Sequence, residues 1–168
     1  MDDRAMQASA GALRGAGLEV RRFNFPYREQ GRRFPDPMPT LQAAFRQQVV
    51  NVPGRRLFIG GRSMGGRVAT MLAAEGFECD GLILLAYPLH PAGKPGKLRD
   101  AHLPRIRVPV LCFNGTRDAL CTRELMDQAI APVAAPWEMH WIEGADHSLS
   151  SAKALREITE AARAWLEK

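Results

Sequence analysis

The spacing of apolar and polar positions changes repeatedly along this chain, and each change marks an element. Over residues 3–16, Met6, Ala10 and Leu13 fall on one helical stripe, which Gly15 and Gly17 stop. Leu18-Glu19-Val20-Arg21-Arg22-Phe23 reads as a strand, with Asn24 to Tyr27 turning off its end. Residues 28–39 are a loop too rich in proline for regular helix. Thr40 is placed to cap a helix striped by Leu41, Phe45 and Val49, and Asn51-Val52-Pro53-Gly54 ends it. Leu57-Phe58-Ile59-Gly60 is a short apolar strand, and Val68, Ala69, Met71 and Leu72 after it return to helical spacing. Residues 81–86 and 108–113 are apolar runs with strand character, separated by a loop-like stretch over 87–107. A helix over 122–131, a strand over 137–142 and a final helix over about 151–167 complete the pattern.

Alternation of strands and helices predicts an α/β fold, with a mostly parallel sheet and helices on both faces. The unbroken apolar run Gly81–Ala86 suits a strand covered on both sides. In such sheets ligands gather at the carboxyl ends of the strands. Asn24, Ser63, Tyr87, Asp118 and His147 all fall at predicted strand ends. The 87–107 connection is too short for a cap domain, so the site is expected to be open to solvent. The whole chain, 1–168, reads as one domain, with no repeat or low-complexity tract.

Chemistry enters at Gly61-x-Ser63-x-Gly65, between the 57–60 strand and the helix after it. A serine on a sharp strand-to-helix turn holds a strained backbone, and glycines let the neighbouring chain pass closely. The helix that follows aims free N–H groups and its positive dipole end at the serine. The plain alternative is a tight connection with Ser63 as a helix cap. Ser63, Asp118 and His147 then follow the chain order Ser…Asp…His of α/β-hydrolases, as nucleophile, orienting acid and general base. Taken singly, Asp118 also suits a turn and His147 the approach to the last helix. Arg62, Tyr87, His90 and Asn24 are candidate substrate contacts on the same rim, and His90 suits a backbone-bonded loop histidine equally well.

Composition narrows the partners. The chain is 46% apolar and 24% charged, ordinary for a globular protein. No run approaches a membrane span, and the N-terminus has no signal-peptide layout. Cys79, Cys112 and Cys121 are irregularly spaced, which disfavours zinc and disulfide frameworks and fits a cytoplasmic setting. The net charge of +5 and the group Arg21, Arg22, Arg28, Arg32 and Arg33 carry no nucleic-acid-binding motif, so no such partner is expected. No metal-ligand spacing or nucleotide-binding loop is present, and neither metal nor cofactor is expected.

Four segments carry a resemblance: Gly61-Arg62-Ser63-Met64-Gly65-Gly66; Tyr87-Pro88-Leu89-His90-Pro91…Gly93-Lys94-Pro95; Gly115-Thr116-Arg117-Asp118; and Gly144-Ala145-Asp146-His147-Ser148-Leu149. Together they resemble the small lidless bacterial α/β-hydrolases that are dienelactone-hydrolase-like, related to the testis-expressed and NSL-complex-subunit proteins of eukaryotes. The resemblance implies Ser63, Asp118 and His147 as the triad and the Met64 N–H in the oxyanion hole; a small acyl substrate is expected from the open, uncapped site instead. Proteins of this kind begin with an apolar strand and a His-Gly-type turn that donates a second oxyanion N–H. This sequence starts after that strand, so an N-terminally shortened domain is expected. Losing one oxyanion donor costs about 10²–10³ in turnover. The incomplete sheet also leaves room for oligomerisation. A catalytically weak interaction subunit is therefore the alternative to a serine esterase or thioesterase.

Overall fold

The computed structural model describes residues 4–168. Four strands, β1 (Phe58–Arg62), β2 (Gly81–Leu85), β3 (Val110–Gly115) and β4 (Trp137–Ile142), pair in the order β1-β2-β3-β4. Every pairing is parallel. Among the described residues six helices accompany them: α1 (Arg4–Gly15), α2 (Pro26–Glu29), α3 (Met38–Gln48), α4 (Met64–Ala74), α5 (Arg123–Ile130) and α6 (Ala152–Leu166).

The sheet is covered on both faces, as continuous apolar strands require. In β2, Leu82 and Leu84 enter the core shared with Leu41 and Phe45 of α3, Val68 and Leu72 of α4 and Met126 of α5. Ile83 and Leu85 point the other way, into the core shared with Leu13 of α1 and Ile158 and Ala162 of α6. α1 is fastened to α6 by the Thr159 hydroxyl on the Ala12 carbonyl (3.1 Å) and the Arg163 guanidinium on the Gly15 carbonyl (2.7 Å).

Four expectations change. Residues 18–23 form no strand and join no ladder; β1 is one edge of the sheet among the described residues. Leu18 and Val20 instead pack on the α1–α6 core, and Arg14 holds the Val20 carbonyl at 2.8 Å. Phe23 meets the rings of Phe25 and Phe45 edge-on at 5.3 and 5.1 Å. α3 begins at Met38 with Pro37 as its cap, three residues before the expected cap Thr40. First-turn N–H groups have no intrahelical acceptor, so Pro39 costs nothing there. Residues 26–29, expected as turn and loop, wind into one helical turn that opens on Pro26. β3 runs on through Asn114-Gly115, which pair with Trp141-Ile142, so two residues expected in a loop are strand. The helix expected from residue 3 is described from Arg4; Asp3 lies outside the described residues.

The 86–109 connection folds down onto α4 around a buried polar cluster and contains a 3₁₀ turn, Leu103–Arg105. His102 Nε2 lies 2.9 Å from the Thr70 hydroxyl, which donates to the Arg67 carbonyl, so the imidazole is the donor of the pair. Burial, then the charges of Arg67 and Arg105, lower the His102 pKa from 6.5 to about 4. The unfolded chain therefore takes up a proton below about pH 6.5 that the folded one refuses until about pH 4. Stability is complete above pH 6.5 and drains away as the pH falls to 4, by about 3 kcal/mol in all. Urea midpoints at pH 7 and pH 4.5 should differ accordingly, and His102→Gln should flatten that difference.

Candidate active site

β1 delivers Ser63 into an abrupt turn. Its backbone sits at φ 51°, ψ −116°, a region that side chains rarely occupy, and α4 starts at the next residue. The Ser63 N–H is tied to the Leu85 carbonyl of β2 at 2.9 Å. Two glycines make the turn possible. A Cβ on Gly61 would stand 3.0 Å from the Gly65 carbonyl carbon, and one on Gly66 2.8 Å from the Gly61 oxygen. The strand and the helix thus cross with no room for a side chain between them.

The loop after β4 brings His147 over this turn, and the turn after β3 brings Asp118. Ser63 Oγ lies 2.9 Å from His147 Nε2, and His147 Nδ1 lies 2.8 Å from Asp118 Oδ2. A carboxylate only accepts, so Nδ1 carries the proton and Nε2 is left to accept from the Ser63 hydroxyl. The imidazole can take that proton, while the carboxylate stabilises the charge it gains. The Asp118 side chain is fully buried and that of His147 is 27% exposed, so the acid is dry and the base faces solvent.

Asp118 is held on every side. Its Oδ1 accepts from the Leu120 N–H at 2.9 Å, and its Oδ2 accepts from the Asn114 amide at 3.3 Å as well as from His147. Asn114 is fully buried and works in two directions. Its Oδ1 accepts from the Tyr87 N–H at 3.1 Å, and its Nδ2 also donates to the Tyr87 carbonyl at 3.2 Å. The amide thereby ties the ends of β2 and β3 together while steadying the carboxylate. An asparagine directly before Gly-Thr-Arg-Asp reads as a turn former, so sequence reasoning overlooked it; strand pairing through 115 is the signal that would have placed it inside. Asn114→Ala strands the Tyr87 N–H and one Asp118 lone pair, while the Tyr87 carbonyl keeps the Leu89 N–H at 3.2 Å. A loss of about 2–4 kcal/mol in unfolding free energy, measured by urea titration, is expected from those buried groups. Any reaction that runs through Ser63 should slow about tenfold as the carboxylate loosens.

The other expected site residues divide. Arg62 donates from Nη2 to the His147 carbonyl at 2.8 Å, which makes it a clamp on the loop that carries the imidazole. Tyr87 is a correction: it is fully buried, its hydroxyl 3.3 Å from Thr70 Oγ1, and burial pushes the phenol pKa up. Its ring belongs to the core beneath the site rather than to the rim. His90 is also corrected to the interior, 3% exposed, with Nδ1 3.0 Å from the Pro91 carbonyl. Asn24 stands at no strand end, because the 18–25 segment is not a strand. Met64 opens α4, so its N–H belongs to the first turn, where no intrahelical acceptor exists. Among the described residues no group of His, Cys, Asp and Glu could hold a metal ion. No described helix is long and apolar enough to cross a membrane.

A parallel sheet wrapped by helices, with a serine on a strained strand-to-helix turn that meets a histidine from a later strand end, defines an α/β hydrolase. The chain belongs to that family: the family described as alpha/beta hydrolase domain matches residues 1–165. It is similar to an α/β serine hydrolase homologue from Coxiella burnetii (TM-score 0.75, 21% identity, covering 99% of this chain and 77% of that one). It is also similar to an α/β serine hydrolase without a lid from Xanthomonas campestris (TM-score 0.73, 21% identity, 99% and 74% covered). A dienelactone hydrolase from Anabaena variabilis gives a TM-score of 0.73 at 19% identity, with 97% and 78% covered. At such identities the likeness establishes the fold, and the dienelactone-hydrolase-like, lidless character expected from the motifs agrees with it. The tie to the testis-expressed and NSL-complex-subunit proteins rests on sequence motifs alone.

Proposed function

We propose that the protein is a serine hydrolase that cleaves a small carboxylic ester or thioester through an acyl-enzyme on Ser63. The observation that carries this reading is the Ser63–His147–Asp118 hydrogen-bond chain at 2.9 and 2.8 Å. Ser63 Oγ attacks the carbonyl carbon as its proton passes to His147 Nε2. The oxyanion so formed meets the Met64 N–H at the start of α4, where the helix dipole also favours negative charge. The C–O or C–S bond breaks, and His147 returns the proton to the departing alkoxide or thiolate. Water repeats the cycle in reverse roles and frees the acid and Ser63. Asp118 stays ionised throughout and keeps the imidazole in its Nδ1–H tautomer.

An aligned hydroxyl, imidazole and carboxylate support turnover over a purely adhesive role for the domain. Stopped-flow hydrolysis of p-nitrophenyl acetate should give a burst of p-nitrophenolate and then a slower steady rate, with one acetyl group on the trapped protein by intact mass. Release at the buffer rate, with no acetylated protein, contradicts the proposal.

A further inference from the structure

His147 sits on an overhang. Its loop leaves β4, whereas Ser63 follows β1 at the opposite edge of the four described strands. Neighbouring strands stand about 4.8 Å apart, so about 14 Å separates the two strand ends. The imidazole nevertheless meets Ser63 Oγ at 2.9 Å. Residues 143–147, with the two side chains, span that gap.

Both ends of the loop are pinned. On the β4 side, Thr116 N–H donates to the Ile142 carbonyl at 3.1 Å and Arg117 N–H to the Ala145 carbonyl at 2.9 Å. Thr116 Oγ1 accepts from the Gly144 N–H at 2.9 Å. On the α6 side, Leu149 is buried in the α1–α6 core and holds φ 48°, a conformation that a leucine rarely adopts. The tip between these anchors is fastened differently. Asp146 Oδ1 accepts from the N–H and hydroxyl of Ser148, at 2.8 and 2.6 Å, which closes the loop on itself and not on the sheet. Among the described residues the one backbone bond of His147 is the one its carbonyl accepts from Arg62 Nη2 at 2.8 Å. Arg62 is the last residue of β1 and directly precedes Ser63, whose N–H is fixed to β2. Nucleophile and clamp therefore share one stretch of backbone. A bond donated by a guanidinium is stronger than a neutral one, which suits a single fastening at the end of an overhang.

We infer that Arg62 is a positioning residue of this site, anchoring the tip of the His147 loop to β1 and so setting the reach of Nε2 to the Ser63 hydroxyl. It acts through the His147 carbonyl and takes no proton. The effect on turnover rests on the hydrolase reading of Ser63; the anchoring of the loop does not. Two readouts keep them apart: steady-state hydrolysis of p-nitrophenyl acetate, and amide hydrogen exchange over residues 143–149. Arg62→Met keeps the aliphatic stem and removes the donor. It should lower kcat about 10–100-fold, since a base displaced by about 1 Å loses that much, with KM changed by less than about twofold. Exchange should quicken over 143–149 and stay as in wild type over β2 and α5. Millimolar guanidinium should restore turnover to Arg62→Ala where sodium chloride of equal strength does not, a rescue that loss of packing alone would not show. Arg156→Gln, on the exposed face of α6, should leave both readouts unchanged.

An unchanged kcat in Arg62→Met beside an active wild type overturns the inference, as does unchanged exchange over 143–149 or a loss in Arg62→Ala that guanidinium does not repair. Variants that fail to fold also overturn it, because Arg62 then serves the stability of the fold and not the reach of the base. Faster loop exchange in Arg62→Met, with no turnover even in wild type, supports the anchor and counts against the hydrolase reading instead.

Discussion

Ser63→Gly should lose at least about 10⁴ in ester turnover and yet unfold at a higher temperature than the parent. The first effect follows from the proposed chemistry, since the nucleophile is gone and the oxyanion donor alone gives little rate. The second follows from the backbone. At φ 51°, ψ −116° the serine occupies a conformation that costs about 1–3 kcal/mol for a residue with a Cβ. Glycine adopts it freely, at an entropic cost of about 0.5–1 kcal/mol in the unfolded chain, so a net gain of about 1 kcal/mol remains. Strain that stabilises nothing but the exposure of one hydroxyl is a mark of function. Thermal unfolding with the p-nitrophenyl assay reads both effects on one preparation. A Ser63→Gly variant that is both active and less stable would contradict a strained nucleophile elbow at this turn.

Gly115→Ala should cost about 10² in kcat/KM with the serine, histidine and aspartate all in place. An added Cβ would stand 2.1 Å from the Ala145 oxygen, 2.5 Å from its carbonyl carbon and 2.9 Å from the Asp146 oxygen. All three are backbone atoms, so no side chain can swing aside. That backbone leads directly into His147 and is bonded to the β3 turn, with the Arg117 N–H on the Ala145 carbonyl at 2.9 Å. The loop must move outward, and the imidazole loses its reach to Ser63 Oγ. Slower fluorophosphonate labelling in parallel with slower turnover is the expected signature. Gly11 of α1 provides the contrast. It is exposed, a Cβ added there would meet nothing within 4 Å, and Gly11→Ala should stabilise by about 0.5–1 kcal/mol with turnover unchanged.

Which parts of the fold could be read from residues alone follows from where the information lies. β2 and β4, α5 and α6 stood out because their periodicity is local; the structure adds the caps Thr122 and Ser151, whose side chains accept from the first turn. Residues 18–23 alternate as a strand does, but a strand exists only with a partner, and apolar contacts with α1 and Phe45 satisfy the same pattern. The order Ser63, Asp118, His147 nominated residues that the fold brings into contact, since strand ends in a parallel sheet share one edge. The rim residues were harder. Tyr87 and His90 follow β2 in sequence, yet the loop turns inward and buries both, a consequence of packing on α4 that no local pattern displays. Asn114 was hidden for the opposite reason, because a turn-forming residue lies inside a strand and uses its amide where a backbone partner would be. Arg62 was read as a substrate contact and instead grips the His147 carbonyl, a contact between residues 85 positions apart.

The most direct test of the central claim is reaction of the native protein with a fluorophosphonate, followed by peptide mapping. One label per chain is expected, on Ser63, at a rate that His147→Ala reduces by at least about 10²-fold. No label, a label on another residue, or an unchanged rate without the imidazole would contradict it.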